Sequence, residues 1–164
     1  SAGIKNVTCL VPRYFFLAEL KLIKKLAALP HMDNLGTDPY WSNYGTGLDP
    51  DWLKDHDGFH PYEYVYKSTK QIIAETDALG KQNHIWIQGY DIPHGKEDEI
   101  IVAADAAYDA GARTLISWAF RGSESNTYKS ECCERAWAAT CEAFRRVRSR
   151  HFDAIRAENF KKFN

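Results

Sequence analysis

The sequence predicts an α/β domain in which four parallel strands alternate with helices. Two observations lead to this prediction. Segments with strand and helix patterns alternate four times along the 164 residues. The connections also differ at the two ends of the strands, because those after a strand are long and rich in aromatic and polar residues, whereas those before a strand are as short as "LPH" and "GAR".

The first half of the chain contains two strand–helix units. Residues 4–12 ("IKNVTCLVP") predict a strand, and residues 15–29 carry apolar side chains at helical spacing. Residues 32–41 ("MDNLGTDPYW") predict the second strand with its loop. A long loop at residues 42–61 then leads to a helix at residues 62–80, which a glycine ends.

The second half repeats the pattern. Residues 84–90 ("HIWIQGY") predict the third strand, and residues 92–111 predict a loop and a helix with acidic residues in its first turn. Residues 113–120 ("RTLISWAF") predict the fourth strand. A loop at residues 121–130 precedes one long helix or a pair of helices at residues 131–160.

The composition limits the classes of partner and compartment. The chain has 21 Lys and Arg against 22 Asp and Glu, so no overall charge attracts nucleic acid or an anionic membrane. Its mean hydropathy of -0.48 and the lack of a long apolar run predict no membrane-spanning helix. Cys9, Cys132, Cys133 and Cys141 have no disulfide or zinc spacing. Unpaired thiols favour a cytoplasmic protein and leave a secreted one open.

No sequence motif for a cofactor or a metal ion is present. The "GTG" at residues 45–47 lacks the lysine and the helix start of a phosphate-binding loop, and no Gly-x-Ser-x-Gly nucleophile elbow occurs. Neither an HExxH motif nor a His-x-His pair occurs among the six histidines. We therefore expect no cofactor and no metal site. The arginines of residues 145–150 are expected to form a solvated helix face rather than a nucleic-acid surface.

Side chains at the carboxyl ends of the strands form the candidate site, because ligands bind at that end of parallel α/β sheets. Side chains alternate along a strand, so Trp86 and Gln88 share one face, whereas Ile85 and Ile87 face the helices. Gln88 is informative, since burying an unpaired amide costs about 1–3 kcal/mol. We call the carboxyl end of the sheet the mouth of the candidate site. The residues expected there are Asp38, Tyr40, Trp41, Trp86, Gln88, Tyr90, Asp91, Trp118 and Arg121.

Aromatic rings beside carboxylate and amide groups are typical of a carbohydrate pocket. The apolar face of a sugar stacks on a ring, and its hydroxyl groups form directed hydrogen bonds. Asp38 is expected to act as an acid or base, although a carboxylate before Pro39 also favours a simple turn. The side chains expected to bind the sugar are Tyr40, Trp41, Trp86, Gln88, Tyr90, Trp118 and Arg121.

Three segments, "DNLGTDPYW", "HIWIQGYDIPHGKEDEI" and "TLISWAFRGSES", together resemble the C-terminal half of a TIM-barrel glycoside hydrolase. A strand ending in Trp-Ile-Gln, followed by a late strand ending in Ser-Trp-Ala-Phe, is similar to the last two strands of many sugar-cleaving barrels. The resemblance covers residues 4–148. It implies a half barrel, a carbohydrate ligand and hydrolysis of a glycosidic bond, with an open flavodoxin-like sheet as the alternative architecture.

The chain departs from this family in its carboxylates. A full barrel has eight strand–helix units, and the four predicted here fit strands five to eight. In many such enzymes one catalytic carboxylate lies on the fourth strand and another ends the seventh, where this chain has Gln88. Because glycoside hydrolysis needs two carboxyl groups, Asp38 is the first candidate catalytic residue and Asp91 is the second.

A half barrel alone leaves two open strand edges and an exposed inner face. The chain begins at Ser1 and its only methionine is Met32. We therefore expect residues 1–164 to be a single α/β domain that is either part of a longer barrel or half of a homodimer. Three functions stay open: a glycoside hydrolase, a non-catalytic carbohydrate-binding domain, and an open sheet that acts in regulation or assembly.

Overall fold

The computed structural model describes residues 6–10, 20–42, 60–121 and 129–163. Four strands and four helices alternate along this part of the chain. In chain order the elements are β1 (Val7–Leu10), α1 (Leu20–Ala27), β2 (Asn34–Thr37), α2 (Pro61–Asp77), β3 (Gln82–Gln88), α3 (Asp98–Asp109), β4 (Leu115–Trp118) and α4 (Cys133–Phe163).

The four strands form one parallel sheet in the order β1-β2-β3-β4. Each strand lies beside the strand that precedes it, and a helix occupies each connection between them. The predicted α/β class with parallel strands is therefore confirmed. The order has no reversal, and it is compatible with half of a barrel or with an open sheet. Closure by a second copy or by a longer chain stays a prediction.

The described helices pack on one face of the sheet, which we call the covered face. Ile85 and Ile87 of β3 are fully buried there against residues of α2, α3 and α4. Leu35 of β2 is buried against α1 and α2 in an adjoining cluster. Because each buried aliphatic side chain contributes roughly 1.5–3 kcal/mol, this face supplies much of the hydrophobic stabilisation of the fold.

The alternate residues of each strand lie on the opposite face, which we call the open face. Asp38 follows the last residue of β2 and continues this alternation from Gly36. The strand register sets three rows across the open face, which are Cys9–Gly36–His84, Trp86–Ile116 and Gln88–Trp118. Polar and aromatic side chains thus collect on the face that the described helices leave uncovered.

Local sequence signals set the ends of α2 and α3. Pro61 occupies the start of α2, where its missing N–H group leaves no hydrogen bond unmade. After α2, Gly80 has a φ of 63°, and the Lys81 N–H group donates to the Thr76 carbonyl oxygen at 2.9 Å. Gly111 follows α3 with a φ of 111°. Both glycines adopt the left-handed conformation that ends a helix at low cost.

Two boundaries refine the predictions. The strand β3 begins at Gln82, two residues before the predicted segment 84–90, because β2 already pairs with the chain at that level. The last segment is one continuous helix, Cys133–Phe163, rather than a pair. The loops predicted at residues 42–61 and 121–130 lie largely outside the described residues.

The structure also bears on membranes, cysteines and metals. Within the described ranges, every helix is too short or too polar to cross a membrane. All four cysteines are free thiols. The described residues contain no cluster of three or more side chains of the types that hold a metal ion.

Candidate functional site

Asp38 lies directly after β2, at the carboxyl end of the sheet. Its Oδ1 atom is buried and has no hydrogen-bond partner. Burial raises the pKa of its carboxyl group from 3.8 to about 7, against a smaller lowering by its own backbone N–H group. The carboxyl group therefore keeps its proton close to neutral pH, which an exposed aspartate does not.

Several ionisable side chains surround this acid. Desolvation raises the pKa of the Tyr40 and Tyr64 hydroxyl groups, and the negative charge of Asp38 raises both further. The same two causes raise the pKa of the Cys9 thiol to about 12. Tyr40 packs edge-on against Tyr90, with ring centroids 5.2 Å apart. The thiol of Cys9 and the hydroxyl groups of Tyr40 and Tyr64 stay uncharged at neutral pH, so Asp38 is the acid that titrates among these four groups.

Trp86 and Trp118 form an aromatic wall on the open face. Their ring centroids are 6.0 Å apart and the rings are inclined at 66°. Trp118 is 39% exposed, and the buried Nε1 atom of Trp86 has no hydrogen-bond partner. The peptide bond from Trp118 to Ala119 is cis. An accessible ring beside an unused N–H donor can both stack on a ligand and bind it directionally.

Gln88 is fully buried and connects the chain after β2 with the chain after β3. Its Oε1 atom accepts a hydrogen bond from the Ser42 N–H group, and its Nε2 atom donates one to the Tyr90 carbonyl oxygen, each at 3.0 Å. The sequence predicted that this amide needs partners, and the backbone supplies them. Its binding to a sugar hydroxyl stays a prediction.

Asp91 lies next to this connection. Its backbone has a φ of 52°, which is unusual for a residue other than glycine. The Ser42 hydroxyl group donates a hydrogen bond to its carbonyl oxygen at 2.5 Å. Burial raises the pKa of its carboxyl group. The two candidate acids are therefore both partly desolvated.

The structure does not bring Trp41 to the mouth of the site. Trp41 is 2% exposed and packs in the core of the covered face. Its Nε1 atom donates a hydrogen bond to Glu99 Oε2 at 3.0 Å. The chain turns after β2, where the Tyr40 N–H group donates to the Asp38 carbonyl oxygen at 2.7 Å. Trp41 consequently offers no ring face for a sugar to stack on.

Arg121 lies just beyond β4 and is exposed. Its guanidinium group is 3.7 Å from the Glu134 carboxylate and 5.2 Å from the centroid of the Phe120 ring. Both partners are themselves exposed. An exposed ion pair of this kind holds its side chains weakly, so Arg121 stays a prediction as a ligand contact.

The sequence did not single out His84, and the structure places it on the open face. Its side chain is 1% exposed, and its ring packs edge-on against Trp86 with centroids 6.3 Å apart. Its Nδ1 atom lies 2.6 Å from Asn34 Oδ1, whereas its buried Nε2 atom has no partner. The two-residue spacing of His84, Trp86 and Gln88 was the signal that could have identified it.

A cavity of about 330 Å³ lies away from these residues, between α3, the start of β4 and α4. No residue predicted for the carbohydrate site lines it. Its lining residues are Tyr108, Ala112, Arg113, Leu115, Phe144, Val147, Arg148 and His151.

Comparisons with known proteins identify no relative of this chain, so the functional proposal is based on the geometry of the candidate site. The resemblance to glycoside hydrolases stays a prediction from the sequence. No protein-family model, no curated protein and no solved structure matches this chain.

Proposed function

We propose that this chain binds a carbohydrate at the carboxyl end of its open face and that Asp38 acts as the general acid of a glycoside hydrolase. The buried carboxyl group of Asp38, whose Oδ1 atom has no hydrogen-bond partner, carries the proposal. A carboxylic acid that holds its proton near neutral pH, with a pKa of about 7, is the group that protonates the leaving oxygen of a glycoside.

The aromatic wall supports the carbohydrate class of ligand. The exposed ring of Trp118 stacks on the apolar face of a sugar unit, while the Trp86 N–H group donates to a sugar oxygen. A buried N–H donor without a partner costs about 1–3 kcal/mol of stability. A ligand oxygen that accepts from this group would recover that loss on binding.

The reaction consumes one water molecule for each bond cleaved. Asp38 transfers its proton to the glycosidic oxygen, the bond between that oxygen and the anomeric carbon breaks, and the alcohol leaves. Water adds to the anomeric carbon, directly or after a covalent intermediate, and the water proton passes to a carboxylate. Among the described residues, Asp91 is the candidate for the second carboxyl group.

The test compares leaving groups in the 164-residue chain. We expect Asp38→Asn to lower the hydrolysis of unactivated oligosaccharides by about 100-fold or more. The loss should be far smaller for 2,4-dinitrophenyl glycosides, because dinitrophenolate leaves without a proton. Asp77→Asn, an exposed change at the end of α2, is the matched control and should leave both rates unchanged.

If Asp38→Asn lowered the hydrolysis rates of both substrate types equally, Asp38 would be excluded as the general acid. Wild-type activity should also fall as the pH rises through about 7, where Asp38 loses its proton. A rate that rises through this range would contradict the proposed role, since an ionised carboxylate cannot donate a proton.

A non-catalytic carbohydrate-binding domain is the second candidate function. Burial raises the pKa of both Asp38 and Asp91, and within the described residues no hydrogen bond joins their carboxyl groups. A pocket with one working acid binds a sugar without cleaving it. Saturable binding of oligosaccharides, with no turnover by either the wild type or Asp38→Asn, would favour this candidate.

A further inference from the structure

Three buried polar atoms without hydrogen-bond partners belong to the open face and its carboxyl end. They are Asp38 Oδ1, His84 Nε2 and Trp86 Nε1. Buried polar groups in folded proteins are nearly always paired, and each one that is not requires an explanation. Asp38 and Trp86 belong to the function proposed above, but that function makes no use of His84.

The hydrogen bond between His84 and Asn34 sets the chemistry of the imidazole. Asn34 Oδ1 is an acceptor, so the Nδ1 atom 2.6 Å from it carries the proton. The Nε2 atom is then the unprotonated nitrogen, with a lone pair and no donor to fill it. Burial lowers the pKa of the ring, which keeps His84 neutral at physiological pH. Nε2 is therefore a fixed hydrogen-bond acceptor.

Gly36 creates the space for this ring. The strand register places Gly36 between Cys9 and His84. A Cβ atom on Gly36 would collide with the Cδ2–Nε2 edge of the imidazole and with the His84 carbonyl oxygen. The unpartnered edge of the ring thus lies over the backbone of β2, one row below Asp38 on the same face.

We propose that His84 Nε2 accepts a hydrogen bond from a hydroxyl group of the same sugar unit whose glycosidic oxygen faces Asp38. The proposal rests on the function proposed above and deepens it. His84 and Trp86 are two positions apart on one strand, a rise of about 6.6 Å, which is comparable to the span between the oxygen substituents at opposite ends of one pyranose unit. The open face would then hold a single sugar unit end-on, with its far hydroxyl group on His84.

The test is a double-mutant cycle between protein and ligand. The probes are methyl α- and β-glycosides of glucose, galactose, mannose and xylose, followed by the monodeoxy analogues of any that binds, with affinities measured by NMR titration. We expect removal of one hydroxyl group to weaken binding to the wild type about two- to tenfold. The same removal should have no effect on binding to His84→Leu.

The double-mutant cycle distinguishes a direct hydrogen bond between His84 and the sugar from a purely structural role of His84. A purely structural role of His84 would weaken the binding of every analogue alike, and that result would overturn the inference while leaving the proposed function intact. His31→Leu, an exposed histidine outside the site, is the control and should keep full hydroxyl discrimination. If no glycoside binds the wild type, the proposed function fails and this inference fails with it.

A second measurement needs neither a variant nor a ligand. The ¹⁵N chemical shifts of the His84 ring in the wild type report which nitrogen carries the proton. We expect a protonated Nδ1 and an unprotonated Nε2 across neutral pH. A protonated Nε2 would overturn the inference whatever the sugar titrations show, because that atom could not accept a hydrogen bond.

Discussion

The two faces of the sheet are built from the same strands but differ in their chemistry. On the covered face, Leu35, Ile85 and Ile87 are fully buried aliphatic side chains that pack on the described helices. On the open face, the same strands carry an imidazole, two indole rings and a carboxyl group just past the end of β2. Three of these groups contain buried polar atoms without hydrogen-bond partners.

The difference shows that alternate residues of a single strand can serve stability on one face and a binding site on the other. Side chains alternate with a period of two, so β3 contributes Ile85 and Ile87 to stability while it contributes His84 and Trp86 to the candidate site. Unpaired buried polar groups lower stability. Such atoms also occur on the covered side, among them Ser117 Oγ of β4 and Ser68 Oγ of α2. Those of the open face differ because they lie beside the exposed ring of Trp118 at the carboxyl end of the sheet, where a ligand could pair with them.

The largest expected effect tests the covered face. Ile87→Ala should lower the free energy of unfolding by about 2–5 kcal/mol, because it leaves a cavity in a fully packed cluster. Ile116→Ala, the same change on the half-buried open face, is the matched variant and should cost clearly less. Urea unfolding of both variants measures the difference, and equal losses would show that the open face is packed as fully as the covered one.

The second prediction concerns the pH dependence of stability that the buried carboxyl group of Asp38 causes. The folded chain holds a proton on Asp38 up to a pKa of about 7, whereas the ordinary value is 3.8. Between these values the folded state binds more protons than the unfolded state, so the free energy of unfolding falls as the pH rises. The loss approaches about 4 kcal/mol once the pH exceeds both values.

Asp38→Asn removes this charge and makes the effect measurable. The variant should match the wild type near pH 3, where the carboxyl group is protonated in both states, and should be the more stable protein near pH 8. Thermal unfolding at the two pH values gives the comparison. A variant that is less stable than the wild type at pH 8 would mean that the ionised carboxylate has favourable partners.

The third prediction is a smaller loss of stability, and it concerns the row Cys9–Gly36–His84 on the open face. Gly36→Ala should cost about 1–3 kcal/mol, since its Cβ atom collides with the His84 ring and with backbone that cannot move freely. Gly95→Ala is the control, because it has a φ of 82° but open space around it. Both variants should lose stability, whereas a displaced His84 ring signal in NMR spectra is expected for Gly36→Ala alone.

Local patterns predicted most of this fold. The alternation of Trp86 and Gln88 with Ile85 and Ile87 fixed which residues meet the helices, because burial on one face imposes a period of two. The outcome for Trp41 differed, since alternation holds only while the chain stays extended. The turn after Asp38 ends the extended conformation, and the ring enters the covered face instead.

The role of His84 depends on residues distant in the sequence. Its ring lies where it does because Gly36, on another strand, has no side chain, and its tautomer is set by Asn34. Neither relation is visible until the register of β2 against β3 is known. The shifted pKa of Asp38 is likewise a consequence of burial by residues around it. The sequence could identify the acid, but it could not indicate its protonation.

The smallest effect on stability is expected for the aromatic wall. It is also the effect that best distinguishes the role of the open face from that of the covered face. Trp118→Ala should lower the free energy of unfolding by about 1–2 kcal/mol, because the ring is already 39% exposed and the change removes only its partial burial and its edge-on contact with Trp86. Phe160→Ala, at 72% exposure on α4, should cost still less and serves as the control. Under the proposed function, Trp118→Ala should abolish detectable sugar binding in the NMR titration while Phe160→Ala leaves it unchanged. A tryptophan that matters little to folding but much to a ligand would assign the open face to binding, whereas unchanged binding would remove the aromatic wall from the site.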